Sequence, residues 1–327
     1  MDKMRLIIHG GMHKTGSTAL QEALSSHNEL NQLQGVLFPN TGIRHDYGVG
    51  SRHFYVRETL FNTHHKQDNV WEGLYQEAIS KNCNVIILSY ENFLSPGIMD
   101  EGAINEIKYY FDVSFICYIR DSISYFNAKY KEWVRRLAFE GEAADFVLEH
   151  LKYVHIDKML KPWIDLCGLE NVFCFPFRRE SFFNQSIVDD FGSVLSSRFN
   201  VNIKLDKFTS RVSNSSYNNA QTLLCLLRNK FFGGFKAMSN SERAIFSKII
   251  DKLDSEAGLL LSKSTCIQLK SMSWRSNHFL RHKFNCIIEE PIVKDLPFCR
   301  DYHSPYLRVN LINEIERGLN RKPNALV

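Results

Sequence analysis

Short apolar runs alternate with amphipathic segments along this chain, the pattern of βα units feeding a parallel sheet. The runs at Arg5–His9, Val36–Phe38, Asn84–Ser89, Val113–Ile119 and Asn171–Phe177 predict strands. Most are continuously apolar rather than alternating, as strands buried on both faces are. A helix is predicted to start near Ser17, with Leu20 and Leu24 four positions apart on one face. A later helix opens in "SNSERAIFSKIIDKL", where Ser239 and Glu242 have capping-box spacing. The polar stretch "FTSRVSNSSYNNA" reads as a loop feeding another helix, "AQTLLCLLRNKF", and the chain beyond it is mainly helical. No internal repeat, low-complexity tract or long linker interrupts this order. The expected fold class is therefore α/β: a single domain over residues 1–327 whose parallel central sheet is flanked by helices, with a mainly helical C-terminal part packed on it.

Composition narrows the function classes. A hydrophobic share of 44% over 327 residues suffices for one large core or two modest ones. Lys and Arg total 40 against 36 Asp and Glu, so the net charge of +4 makes no case for a nucleic-acid partner. Eight cysteines (83, 117, 167, 174, 225, 266, 286, 299) form no CxxC pair, and several sit inside apolar runs. That usage suits reduced, buried thiols in a reducing compartment. The first apolar run is too short for a signal peptide, and no apolar stretch approaches the roughly 20 residues of a membrane span. A cytoplasmic protein without a transmembrane segment is expected.

Chemistry concentrates first in "LIIHGGMHKTGSTALQEAL", Leu6 to Leu24. A strand, a turn with Gly10, Gly11, Lys14, Thr15, Gly16, Ser17 and Thr18, and a helix follow one another. Closely spaced backbone N–H groups, a helix dipole and an ammonium together make a phosphate cradle. The nucleotide P-loop GxxxxGK[ST] puts lysine after the last glycine and a magnesium-binding hydroxyl after the lysine. Here Lys14 lies two residues before Gly16, and no GK[ST] exists.

This order resembles the 5′-phosphosulfate loop of sulfotransferases that use 3′-phosphoadenosine 5′-phosphosulfate, in particular the form found in bacterial sulfotransferase-family proteins that act on carbohydrates. The resemblance implies a P-loop sulfotransferase-like fold and transfer of a sulfuryl group to a hydroxyl or amine. It assigns donor binding to Gly11, His13, Lys14, Thr15, Gly16, Ser17 and Thr18. Lys14 would meet the charge that grows on the bridging oxygen as the bond to sulfur breaks, which lowers the barrier without a metal. "VSFICYIRDSISYFNAKYKEW" resembles the family's 3′-phosphate site, where a strand-end arginine and a helix serine hold the extra phosphate. Arg120 fits, and its forked guanidinium suits phosphate. The usual serine position, eight residues on, is Ala128, and Ser124 lies one turn earlier on the same helical face as its substitute. "GVLFPNTG", "LSYENF", "FRRESFFNQSIVDDF" and "SRVSNSSYNNAQTLLCLLRNKF" extend the resemblance along most of the chain. Residues 286–327 carry none, and read as an elaboration that closes the site or joins subunits.

Transfer to a hydroxyl needs a base, because the attacking oxygen sheds its proton as the O–S bond forms. The family's base is a His or a Glu near the sulfuryl group. Glu91 in "LSYENF" follows a central strand at the carboxyl edge, where open parallel sheets bind ligands. His53 in "GVGSRHFYVRETLF" is the other candidate, with acceptor binding or a surface position as its alternatives. His278 and His282 have helical spacing with no evident third ligand for zinc. The run Lys129, Lys131, Arg135, Arg136 reads as a solvated helix face, with a flank of the acceptor groove that favours an anionic glycan as its alternative in a sulfotransferase. The rival functions are an ATP-dependent small-molecule kinase or NTPase, which the missing GK[ST] opposes, and a non-catalytic nucleotide-binding module, which Ala128 favours. The expected partner is a glycan or other hydroxylated acceptor rather than nucleic acid.

Overall fold

A computed structural model describes residues 3–44, 51–205, 217–253, 258–299 and 305–320. Most of the polar stretch read as a loop, 206–216, lies outside the described residues. The first part of the chain runs β1 (Met4–Gly11), α1 (Ser17–Ser26), α2 (Asn28–Gln32), β2 (Val36–Leu37), α3 (Phe54–Leu60), α4 (Val70–Ser80), β3 (Val85–Ser89), α5 (Glu101–Tyr110) and β4 (Phe111–Ile119). It continues through α6 (Ser122–Arg136), α7 (Ala143–Glu149), α8 (Ile156–Cys167), β5 (Val172–Pro176) and α9 (Ile187–Phe199). The last described elements are α10 (Asn219–Phe232), α11 (Asn240–Asp251), α12 (Lys263–Phe284) and α13 (Pro305–Leu319). The five apolar runs of the sequence are the five strands, within two residues at each end.

The chain forms two compact units. The first draws on Met1–Asp121, Lys152–Val212 and Ser273–Glu289, and the second on Ser122–Leu151, Ser213–Met272 and Glu290–Val327.

In the first unit the sheet order is β2-β3-β1-β4-β5, with every neighbouring pair parallel. Successive strand residues point to opposite faces, and both faces are covered, which is why the runs are apolar throughout. On one face Ile7, Ile87, Ile116 and Tyr118 pack with Leu20 and Leu24 of α1 and Phe191 and Leu195 of α9. On the other, Phe115 stacks on Trp163 of α8 with ring centres 4.1 Å apart. The Trp163 indole N–H donates to the Phe93 carbonyl at 2.9 Å, so this large ring is buried without losing its hydrogen bond. The order reverses at β1: the chain leaves β1 towards β2 and leaves β4 towards β5. Parallel sheets open a crevice at the carboxyl ends of strands where the order reverses, here β1 and β4.

The second unit is helical among its described residues. Asn229 on α10 donates to the carbonyls of Val134 and Phe139 at 2.8 and 3.0 Å, tying α10 to the end of α6. Helix α11 begins with the expected capping box, Ser239 and Glu242 each serving the other's backbone N–H. The basic run on α6 departs from the sequence expectation. Lys129 is buried, and its ammonium donates to the Tyr125 hydroxyl at 2.9 Å while lying 5.3 Å from that ring. The aromatic partner one helical turn away keeps the charge satisfied off the surface. The eight cysteines carry free thiols, and all but the half-buried Cys167 are buried.

Candidate phosphate-binding site

β1 delivers the chain to the carboxyl edge at Gly11, level with Tyr118 of β4. The Met12 N–H extends the ladder to the Tyr118 carbonyl at 3.4 Å, and the next four residues turn the chain into α1. The Thr15 hydroxyl locks the turn by donating to the Met12 carbonyl at 2.6 Å. Lys14 and Gly16 both have left-handed backbones, with φ 69° and 76°. Thr15 between them does not share it. Such alternation brings successive N–H groups to one side as an anion-binding concavity. Gly16 suits its place, since a Cβ there would also stand 3.1 Å from Ile187. A lysine in that conformation is strained by about 1–2 kcal/mol, and strain of this sort gathers where a chain is shaped for a ligand.

Two features leave the cradle chemically incomplete. α9, α10 and α11 are capped by side chains of Ser186, Asn218 and Ser239, whereas Gly16 gives α1 no side-chain cap. The buried Ser17 hydroxyl has no hydrogen-bond partner among the described residues. Unserved donors at a helix start and an orphaned buried hydroxyl are what an anion's oxygens satisfy. The residues therefore fit the 5′-phosphate end of a phosphosulfate donor. Thr18, one position on, is exposed.

Arg120 follows β4 at the same edge. Its guanidinium donates to the Lys14 carbonyl at 3.4 Å and lies 5.8 Å from the Phe177 ring. Partial burial moves its pKa down from the ordinary arginine value. The sheet thus brings Arg120 against the loop that precedes it by more than a hundred residues. Ser124 and Ala128 stand on α6, which belongs to the second unit.

Glu91 lies two residues past the end of β3, in a short turn of 3₁₀ helix over Glu91–Phe93. Its carboxylate is 3.9 Å from His13 Nδ1 in the loop and 3.7 Å from the Arg52 guanidinium. His53 sits at the start of α3, fully buried. Its Nδ1 accepts the Ser89 N–H at 3.1 Å, which leaves Nε2 to donate to the Pro39 carbonyl at 3.1 Å. Burial lowers its pKa to about 4, against the opposing pull of those main-chain groups. Both ring nitrogens are engaged by backbone, so neither is open to a bound acceptor. His53 is neither on the surface nor at an acceptor face; it is a strut between β2 and β3.

Sequence reasoning missed two groups here. Arg52 was overlooked beside His53, although a cation next to a candidate base was the available signal. The second is a buried polar cluster under the loop. His9 Nδ1 lies 2.9 Å from the Ser89 hydroxyl, which also receives the Gln21 amide at 3.4 Å. His9 Nε2 has no partner among the described residues, and burial lowers its pKa to about 3. A histidine inside the apolar run of the central strand was its one trace in the sequence.

Among the described residues no three His, Cys, Asp or Glu side chains lie together as a metal site, and no helix is long and apolar enough to cross a membrane. The His278 and His282 rings meet at a tilt with centres 4.1 Å apart, and those of His64 and His65 do so at 4.0 Å. Comparison with protein-family models, with curated proteins and with solved structures gave no match in any of the three.

Proposed function

We propose that this chain is a sulfotransferase that moves a sulfuryl group from 3′-phosphoadenosine 5′-phosphosulfate to a hydroxyl or amine, with a carbohydrate as acceptor. The observation that carries the reading is the loop after β1. Its lysine sits inside the turn in a left-handed conformation, and a carboxylate stands at the same sheet edge beside His13. The donor supplies a sulfuryl group whose bond to the 5′-phosphate breaks as the acceptor oxygen bonds to sulfur. The loop N–H groups and the Ser17 hydroxyl hold the phosphate oxygens. Lys14 offers its ammonium to the oxygen that gains charge on leaving, an interaction stronger in the transition state than before it. Glu91 takes the acceptor's proton, with Arg52 and His13 fixing the carboxylate. Arg120 binds the 3′-phosphate.

The test is thermal stabilisation of the full chain by adenosine 3′,5′-bisphosphate, AMP, and ADP or ATP with magnesium. The bisphosphate alone, without metal, should stabilise it. Arg120→Ala should weaken bisphosphate binding by about ten- to a hundredfold and leave AMP binding nearly unchanged. Stabilisation only by magnesium nucleotides would replace this reading with a kinase or NTPase. Bisphosphate binding without sulfate transfer to any member of a glycan array would leave a non-catalytic module.

A further inference from the structure

One cavity of the first unit opens at the end of β1 opposite the phosphate loop, and a second adjoins it along β5. A trough of about 730 Å³ is walled by Lys3 and Arg5 at the start of β1, Lys108 at the end of α5, and Arg198 at the end of α9. A second, of about 530 Å³, runs along β5 to Arg281 and Lys283 of α12. The two share Phe173 and Arg198, so they form one elongated depression. β1 rises about 3.3 Å per residue, which puts the first trough about 23 Å from Gly11 along the strand, while the second climbs β5 as far as Phe175, the residue paired with Tyr118.

Six exposed cations face it against the two carboxylates of Asp112 and Glu170. Arg198, Arg281 and Lys283 have no hydrogen-bond or ion-pair partner among the described residues. The entire chain carries a surplus of only four positive charges, so this is a local concentration and not the protein's average. The second observation is a row of rings along α12. Trp274 is 67% exposed. It lies 5.4 Å from His278, which lies 4.1 Å from His282, and His282 lines the second trough. An exposed indole continued by two imidazoles buries nothing in a core. It offers flat faces to the water.

We propose that this depression and the row of rings bind an anionic polysaccharide, on a surface that begins at the end of β1 opposite the phosphate loop. The cations match carboxylate or sulfate groups spaced along a polymer, and the rings match the apolar faces of its sugars. The choice of polysaccharide rests on the carbohydrate acceptor of the preceding section. A second foothold there raises the effective concentration of the same polymer at the loop.

Chondroitin sulfate of about 20 sugars, neutral dextran and single-stranded oligo(dT) of matched length are titrated into the full chain, with adenosine 3′,5′-bisphosphate stabilisation measured alongside. Chondroitin sulfate should bind and dextran should not. The triple variant Arg198→Glu, Arg281→Glu, Lys283→Glu should lose at least about tenfold in affinity, and Trp274→Ala about fivefold. Both variants alter exposed side chains and should keep the parental bisphosphate stabilisation. Parental chondroitin sulfate affinity in the triple variant overturns the proposal. So does oligo(dT) binding as tightly as the polysaccharide, which makes the surface a nucleic-acid site. Polysaccharide binding that the triple variant loses, in a protein that the bisphosphate never stabilises, keeps the surface and removes the sulfotransferase reading.

Discussion

Lowering the pH from 7.5 to 5 should destabilise the first unit through two buried histidines, and His53→Gln should remove about half of that loss. His53 is fully buried, and burial lowers its pKa from 6.5 to about 4. The unfolded chain therefore binds a proton near pH 6.5 that the folded chain refuses until about pH 4. The stability this represents is complete above 6.5, is lost as the pH falls through that window, and levels off below about 4. Integrating the difference in proton uptake gives about 2 kcal/mol lost at pH 5 from His53. His9, lowered to about 3 by burial, adds a similar amount over this interval, so the parent should lose about 4 kcal/mol from the pair. Glutamine cannot take up a proton, and carboxylates titrate alike in both proteins and cancel in the comparison. The assay is urea unfolding at both pH values, followed by tryptophan emission. Trp71 and Trp163 are buried in the same unit as both histidines and report its opening. His53→Gln lowers stability at pH 7.5 by disturbing the bonds to Ser89 and Pro39, so the readout is each protein's change between the two pH values. An equal change in parent and variant refutes the reasoning, because His53 would then be protonated in the fold as readily as outside it.

Two further substitutions separate the loop's shape from its charge. Lys14→Gly should raise stability by about 1 kcal/mol by relieving the left-handed backbone, whereas Lys14→Ala should not. In either variant sulfate transfer should fall by about a hundred- to a thousandfold, and a Lys14→Gly protein less stable than Lys14→Ala would contradict the strain. Ser17→Ala removes an orphaned hydroxyl, so the free protein should unfold at the parental temperature or slightly above it, while stabilisation by the bisphosphate shrinks. A loss of stability in the free protein would mean that the hydroxyl already has a partner. Glu91→Gln should cut transfer by about a hundred- to ten-thousandfold with bisphosphate affinity unchanged; near-parental turnover would take the base away from Glu91.

The strands and the turn after β1 were legible in the sequence for one physical reason: each depends on residues close together in the chain. A strand buried on both faces must be apolar at every position, so Arg5–His9 and Val113–Ile119 announce themselves. A left-handed turn with a lysine between glycines needs seven consecutive residues, and Ser239 with Glu242 needs four. What tertiary structure alone decided are the partners brought from afar. Ser89 reaches His53 and His9 across 36 and 80 residues, so nothing local signals that His53 is sealed inside while Glu91, two residues past β3, stays at the open edge. Arg120 meets the Lys14 carbonyl across 106 residues. Lys129 looked solvated because its neighbours are charged, yet Tyr125 one turn away and the packing around α6 take it inside. The return of 273–289 to the first unit is likewise invisible locally, because α12 is one uninterrupted helix whose two halves belong to different units. Periodicity says which side of an element must be covered; only the folded chain says by what.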